Sequence, residues 1–206
     1  TTDREAPRID DWLRCAASRL ADAPAWRSGS DDAPGREASW LLAAVLGRDL
    51  AWLMTWPERR LSDAELARAD DWLARRCAGE PLAYLVGQAG FHGLTLQVTP
   101  DVLVPRPDTE TLVDWALDLL PTLPAPPQVA DLGTGSGAIA LAVAHERRDA
   151  EVTAVDLSDD ALDVARINVA DYGLEDRIEL VRSDVFDALA GRRFDLILCN
   201  PPYVTA

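Results

Sequence analysis

The stretches Gln128–Leu132, Glu151–Leu157, Ile178–Val181 and Phe194–Cys199 are short and apolar, and helical stretches at Ala138–Ala144 and Ser158–Ala170 separate the first three. Strands that alternate with helices at this spacing predict parallel strands in one sheet with helices on its faces, an α/β architecture. Ser158 is the expected N-cap of the later helix, and Asp159 and Asp160 suit the positive end of its dipole. A glycine-rich run, Asp131-Leu132-Gly133-Thr134-Gly135-Ser136-Gly137, joins the first strand to the first helix. In open parallel sheets that turn is where ligands bind.

The chain begins differently. Ile9, Trp12, Leu13, Ala16, Ala17 and Leu20 recur at helical spacing. A second helix is expected from Arg36 to Leu46, ending at Gly47, and a short third from Asp49 to Trp56. Ser62-Asp63-Ala64-Glu65 reads as a capping box opening a fourth helix to about Cys77. Trp12, Trp26, Trp40, Trp52, Trp56 and Trp72 all lie here, and the plainest expectation is that large rings fill the core of a small bundle. Phe91, Leu94, Leu96, Val98, Val102 and Val104 suggest two short strands turning near Thr99-Pro100-Asp101. Pro107–Leu120 returns to a helix, with Asp108 as N-cap, and Pro121, Pro124, Pro126 and Pro127 make a stiff spacer. The expected domains are a helical bundle over 1–80, a hairpin linker over 81–106 and a ligand-binding α/β domain over 107–206.

With 20 basic residues, all arginine, against 35 acidic ones, the formal charge is −15. Nucleic-acid affinity rests on neutralising phosphates, and no basic patch is visible; Arg59-Arg60, Arg75-Arg76, Arg147-Arg148 and Arg192-Arg193 are pairs among acids. The expected partners therefore include neither nucleic acid nor membrane. Three widely spaced cysteines, Cys15, Cys77 and Cys199, form neither a metal pattern nor a disulfide framework, which fits a reduced cytoplasmic protein.

Four places carry candidate chemistry. Gly133-x-Gly135-x-x-Ala138 fits a dinucleotide fingerprint, but Asp131 at the strand end would sit poorly beside a pyrophosphate. It suits the cationic amino-acid end of S-adenosyl-L-methionine. Asp156, ending the second strand, can accept both ribose hydroxyls of an adenosine. Asp184, followed by Val185 and Phe186, stands where adenine would be met. The fourth place is Asn200-Pro201-Pro202-Tyr203. An Asn side-chain oxygen and the Pro201 carbonyl can accept both hydrogens of one NH2 group, proline preorganises the backbone, and Tyr203 offers a flat face for a planar amide or base. Methyl transfer to that nitrogen, with S-adenosyl-L-homocysteine as product, needs positioning more than a strong base. His92 and His145 fit no catalytic arrangement.

Gly79-Glu80-Pro81-Leu82-Ala83-Tyr84-Leu85-Val86-Gly87, then Phe91, then Val102 through Val113 with Arg106-Pro107-Asp108-Thr109-Glu110 inside it, resemble the HemK/PrmC proteins, and the Gly turn and Asn200 to Tyr203 continue the match in order. The resemblance implies a Rossmann-like class I methyltransferase fold preceded by a small helical bundle and a β-hairpin linker. It implies methylation of the side-chain amide (N5) of the glutamine in the Gly-Gly-Gln motif of peptide chain release factors. By position it assigns Gly133, Thr134, Gly135, Ser136, Gly137 and Asp156 to the cofactor, Asn200 to cofactor and glutamine, and Pro201, Pro202 and Tyr203 to the glutamine. Family members often have Trp where Val185 stands, so adenine packing is expected to be thinner, with Phe186 compensating. Arg106 and Glu110 are expected to brace the site, and the helical domain to help dock the release factor, the enzyme being a monomer. The family's sheet continues beyond its fourth strand, so the resemblance also implies a fragment of a longer protein, with Phe194–Cys199 an exposed edge. Two other readings stay open: a nucleic-acid adenine N6-methyltransferase, which would offer the same NH2 to Asn200, and an inactive cofactor-binding module acting through its Trp-rich helices. A nicotinamide-dependent oxidoreductase leaves Asn200 to Tyr203 unexplained.

Overall fold

A computed structural model describes residues 6–24 and 34–201, so Trp26, Pro202 and Tyr203 lie outside the described residues. The chain forms two compact units, Thr1–Val86 and Gly87–Ala206.

The first unit is helical. α1 (Ile9–Asp22) buries Ile9, Trp12, Ala16 and Leu20, the stripe its periodicity predicts. α2 (Pro34–Leu46) stops where Gly47 turns to φ 60°. Asp49 caps α3 (Leu50–Thr55) by accepting the Trp52 N–H. α4 (Asp63–Cys77) opens with the full reciprocal capping box of Ser62 and Glu65. Side-chain hydrogen bonds from Arg59 hold the Glu65 carboxyl down at about 2. α5 (Leu82–Val86) is a five-residue helix that periodicity did not reveal, being shorter than two turns. The tryptophans divide. Trp12 and Trp72 are buried, and Trp12 Nε1 donates to Asp70 at 2.9 Å, whereas Trp40 and Trp56 lie at the surface. Arg48 and Arg59 both stack over Trp52, a half-buried ring that also packs against the helical core.

The second unit opens with a hairpin, β1 (Gln88–Phe91) paired antiparallel with β2 (Leu94–Gln97). This corrects the expected turn at Thr99-Pro100-Asp101: the chain reverses at His92-Gly93, both with positive φ (48° and 78°). Two-residue hairpin loops need that conformation to match strand twist, and a His at the first position hides the usual Asn-Gly signal. α6 (Pro107–Leu119) follows. Its N-cap is Arg106, not Asp108, and Pro107 takes the first helical position, where a missing N–H costs nothing. Four parallel strands then form one sheet in the order β5-β4-β3-β6, with β3 Gln128–Leu132, β4 Glu151–Asp156, β5 Ile178–Arg182 and β6 Leu196–Cys199. β6 begins two residues later than its apolar run suggests. α7 (Ala138–Glu146) and α8 (Asp159–Asp171) supply the crossovers, and Ser158 caps α8 by accepting the Ala161 N–H. α7 is buried over Ala138 to Ala144, which makes it the centre of the core with Val129, Val152 and Val113 around it.

The chain runs outward from β3 through β4 to β5, then returns to the other side of β3 as β6. Strand order therefore reverses between β3 and β6, and in parallel sheets the crevice beyond such a reversal is the natural ligand site. Leu132 and Cys199 are register partners there, so the Gly turn and Asn200 leave the sheet side by side despite their distance in sequence.

Candidate active site

The Gly turn leaves β3 with Gly133, Gly135 and Gly137 all at positive φ, 71°, 55° and 82°. At Gly137 glycine is required twice over: a Cβ would be strained by the backbone and would also meet Leu141 Cδ1 at 3.3 Å and Ala165 Cβ at 3.4 Å. The turn spends its donors internally. Gly133 and Thr134 N–H donate to the Val155 carbonyl at 2.8 and 2.9 Å, and Gly137 N–H to the Thr134 carbonyl at 2.9 Å. Gly135 N–H donates to Asp156 Oδ2 at 2.9 Å. A pyrophosphate site needs such amides free, so this turn is poorly suited to a dinucleotide.

Asp131 is fully buried beneath the turn. Its Oδ2 accepts from Thr134 Oγ1 at 2.7 Å and from Ala140 N–H at 3.2 Å. Its Oδ1 is buried without a hydrogen-bond partner among the described residues. Burial pushes the carboxyl up to about 6, against the pull of those two bonds. A buried carboxylate oxygen left bare is costly unless a cation meets it.

Asp156 ends β4 half-buried. Oδ2 holds Gly135, and Oδ1 accepts the Ser158 N–H at 3.0 Å. Each oxygen keeps a second lone pair, so the carboxylate shapes the turn and still has acceptor capacity. The Asp156 carbonyl accepts the Ser183 N–H at 2.9 Å, which brings the loop after β5 alongside. In that loop Asp184, Val185 and Phe186 are exposed, and Val185 sits at φ 47°. A β-branched residue there is strained.

Asn200 is half-buried at the end of β6, with its Nδ2 donating to Thr109 Oγ1 at 2.9 Å. Thr109, in the first turn of α6, thus fixes which way the amide faces. Phe91, Arg106, Thr109, Ser136 and Asn200 line one groove with the Gly turn. A larger groove shares Arg106, Thr109 and Asn200 and extends past Trp115 to Pro201, which is exposed. Glu110 acts elsewhere: its Oε1 accepts the His92 N–H at 2.9 Å and secures the hairpin tip. His92 also bonds Asp114, and His145 packs edge-on against Tyr172, so neither imidazole joins the site.

Asn168 is a residue that sequence reading missed. Fully buried on α8, it accepts the Gln97 N–H at 2.6 Å and donates to the Gln97 and Ser136 carbonyls, both at 2.9 Å. It pins the hairpin to the Gly turn. The available signal was a polar residue on the apolar face of α8, one turn after Val164 and Ala165.

Residues 11–87 match the family described as PrmC N-terminal domain, and residues 111–206 the one described as Methyltransferase small domain. The release factor glutamine methyltransferase of Escherichia coli (strain K12) is 43% identical over 193 residues, which is 94% of this chain and 66% of that protein. That of Pseudomonas aeruginosa is 47% identical over 189 residues, 92% of this chain and 64% of that protein. The chain thus spans just under two thirds of the length of these relatives. Among solved structures, the human methyltransferase 10 domain containing protein aligns over 55% of this chain and 56% of its own, at 25% identity and a TM-score of 0.48.

Proposed function

The chain belongs to the PrmC family of methyltransferases, and on that premise we propose that it methylates the side-chain amide nitrogen of the Gly-Gly-Gln glutamine in a peptide chain release factor, using S-adenosyl-L-methionine. One observation carries the reading: an Asn amide oriented by Thr109 stands beside a Gly turn that covers a buried carboxylate with a bare oxygen. The donor is a cation with an adenosine and an amino-acid end, and the residues present fit each part. Asp131 would face the ammonium, Gly133 to Gly137 would pass beneath the thioether, and Asp156 would take the ribose. Asp184, Val185 and Phe186 would flank the adenine, their exposed apolar surface being covered in doing so. When bound, this donor supplies a sulfonium methyl open to displacement and leaves as S-adenosyl-L-homocysteine.

The protein's own part is positioning. With Nδ2 committed to Thr109, Asn200 presents Oδ1 as acceptor, and Oδ1 together with the Pro201 carbonyl would take the two N–H bonds of the glutamine amide. Holding both hydrogens fixes the nitrogen's orientation before reaction, which is where most of the rate would originate. Pro202 and Tyr203 would close over the amide plane. The nitrogen's surplus proton would leave to water. The acidic surface suits a protein substrate better than a nucleic acid. A monomer acting in the cytoplasm, docked to the release factor through its helical unit, completes the proposal.

The test is incubation of the purified protein with labelled S-adenosyl-L-methionine and a release factor, either wild type or with its Gly-Gly-Gln glutamine replaced. Label on the wild-type factor alone is expected. Label on both factors, or on neither, would overturn the substrate.

A further inference from the structure

Asn168 and Tyr172, one turn apart at the end of α8, do for β2 what a third strand would do. The Tyr172 hydroxyl accepts the Thr95 N–H at 2.7 Å and donates to the Thr95 carbonyl at 3.1 Å. The Asn168 amide repeats the pattern at Gln97, accepting its N–H at 2.6 Å and donating to its carbonyl at 2.9 Å. Asn168 then reaches further. Its second amide hydrogen goes to the Ser136 carbonyl at 2.9 Å, in the middle of the Gly turn. Both donors and the oxygen are thus spent, and a rotated amide would set an oxygen against a carbonyl.

The point it reaches is one that residue type leaves loose. Ser136 is buried between Gly135 and Gly137, at φ 55° and 82°, so the backbone is free to swing on either side of it. The N–H groups of Gly133, Thr134, Gly135 and Gly137 are tied to Val155, Asp156 and Thr134, and Asn168 ties the Ser136 carbonyl. The same amide holds β2, whose partner β1 ends at Phe91, and Phe91 lines the groove with Gly133, Gly135 and Ser136. A fully buried polar side chain bonded to both walls of a groove fixes their spacing.

We propose that Asn168 is a positioning residue for the methyl donor, acting through Ser136 to hold the Gly turn at the spacing from the Phe91 wall that the donor's thioether and amino-acid end require. The proposal rests on the reading that the site takes S-adenosyl-L-methionine. It makes Asn168 a determinant of cofactor affinity that touches neither the donor nor the glutamine. Tyr172 anchors the same strand without touching the turn, and so supplies the control.

Calorimetric titration with S-adenosyl-L-homocysteine and with adenosine, which lacks the thioether and amino-acid end, separates positioning from stability. A partly unfolded population weakens both ligands by one common factor, whereas a displaced turn weakens the longer ligand more. Asn168→Ala should weaken S-adenosyl-L-homocysteine about 10-fold more than it weakens adenosine, the scale of one lost hydrogen bond or close contact to the ligand. Tyr172→Phe should lower the thermal midpoint and leave the ratio of the two affinities as in wild type. Asn168→Asp keeps the shape and the acceptor for the Gln97 N–H but loses the paired donors, and should show the same selective loss at pH 7.5. An unchanged ratio in the Asn168 variants, an equal fall of the ratio in Tyr172→Phe, or failure of both Asn168 variants to fold by circular dichroism would overturn the proposal. Wild type binding neither ligand would instead remove the cofactor reading itself, and the proposal with it.

Discussion

The side-chain amide of Asn200 donates to the hydroxyl of Thr109 at 2.9 Å, tying the end of β6 to the first turn of α6 across 91 residues of sequence. This bond decides which edge of the Asn amide faces the groove. A rotated amide would present N–H groups where acceptors are needed, and the substrate amide would lose its grip.

Thr109→Val keeps the shape and removes the acceptor. Turnover is expected to fall by about 100-fold, the scale of a small misplacement of reacting groups. Thr109→Ser should retain most of it. Steady-state methyl transfer measures this, with circular dichroism confirming the fold. Thr109→Val turning over like wild type would show that Asn200 is oriented by something else.

Asp131 should trade stability for binding. Its folded-state pKa, about 6, lies above the ordinary carboxyl value of 3.8, so the native protein takes up the proton first as pH falls. The group therefore costs stability progressively as pH rises from 3.8 to about 6, the cost is full above that, and it is gone below the unfolded value. At neutral pH it amounts to about 3 kcal/mol, at 1.36 kcal/mol per pKa unit. Asp131→Asn should match wild type only below about pH 3.8 and gain on it steadily as pH rises to about 6, remaining more stable at pH 7.5 in urea titrations, while losing affinity for S-adenosyl-L-homocysteine. A variant less stable at pH 7.5 would contradict the account.

The same carboxyl predicts how binding depends on pH. An ammonium pairs with the ionised form, so affinity for S-adenosyl-L-homocysteine should be level above about pH 6. Below that it should drop, approaching about 10-fold per pH unit, with a proton released on binding near the midpoint. Calorimetry in buffers of different ionisation enthalpy counts the proton. Flat affinity from pH 7.5 to 5 would separate Asp131 from the ligand.

Asn168→Ala removes three hydrogen bonds and leaves the Ser136 carbonyl and the Gln97 N–H short of partners. The expected loss is about 2 to 4 kcal/mol, from the desolvation cost of unsatisfied buried groups. Hydrogen exchange should quicken first at β2 and the Gly turn, because Asn168 joins those two. Uniform loss of protection across the second unit would indicate a general packing role.

Gly137→Ala places a Cβ on a left-handed residue against Leu141 and Ala165. The conformational strain alone is about 1 to 2 kcal/mol. Gly133→Ala meets no atom within 4 Å, so it should cost only that strain and leave thermal stability higher than Gly137→Ala does. Equal melting temperatures for the two variants would argue against the packing term.

Features set by near neighbours were legible in the chain. The Ser62–Glu65 capping box, the Ser158 cap and the stripe of α1 depend on residues a turn or so away, and all three are present. Four strands in one parallel sheet followed from their alternation with helices. The hairpin turn was misplaced because positive φ at His92 is a conformation that residue type barely signals. The expectation that the tryptophans fill the core holds for Trp12 and Trp72, and in part for Trp52, which packs against the core under two arginines, yet Trp40 and Trp56 are at the surface. Hydrophobicity cannot tell an aromatic ring bound for the interior from one that a cation will cover.

The sequence by itself determined that a glycine turn follows β3, that carboxylates end β3 and β4, and that Asn200 follows β6, since strand ends and turn residues are written locally. Only the tertiary structure decided what those groups do to one another. The reversal of strand order sets Asn200 beside the Gly turn, Thr109 turns its amide, Asn168 anchors the hairpin, and burial leaves one oxygen of Asp131 bare. Each is a relation between residues far apart in the chain. A polar group's partner, or its lack of one, is fixed only when packing removes water and leaves it whatever neighbours the fold supplies.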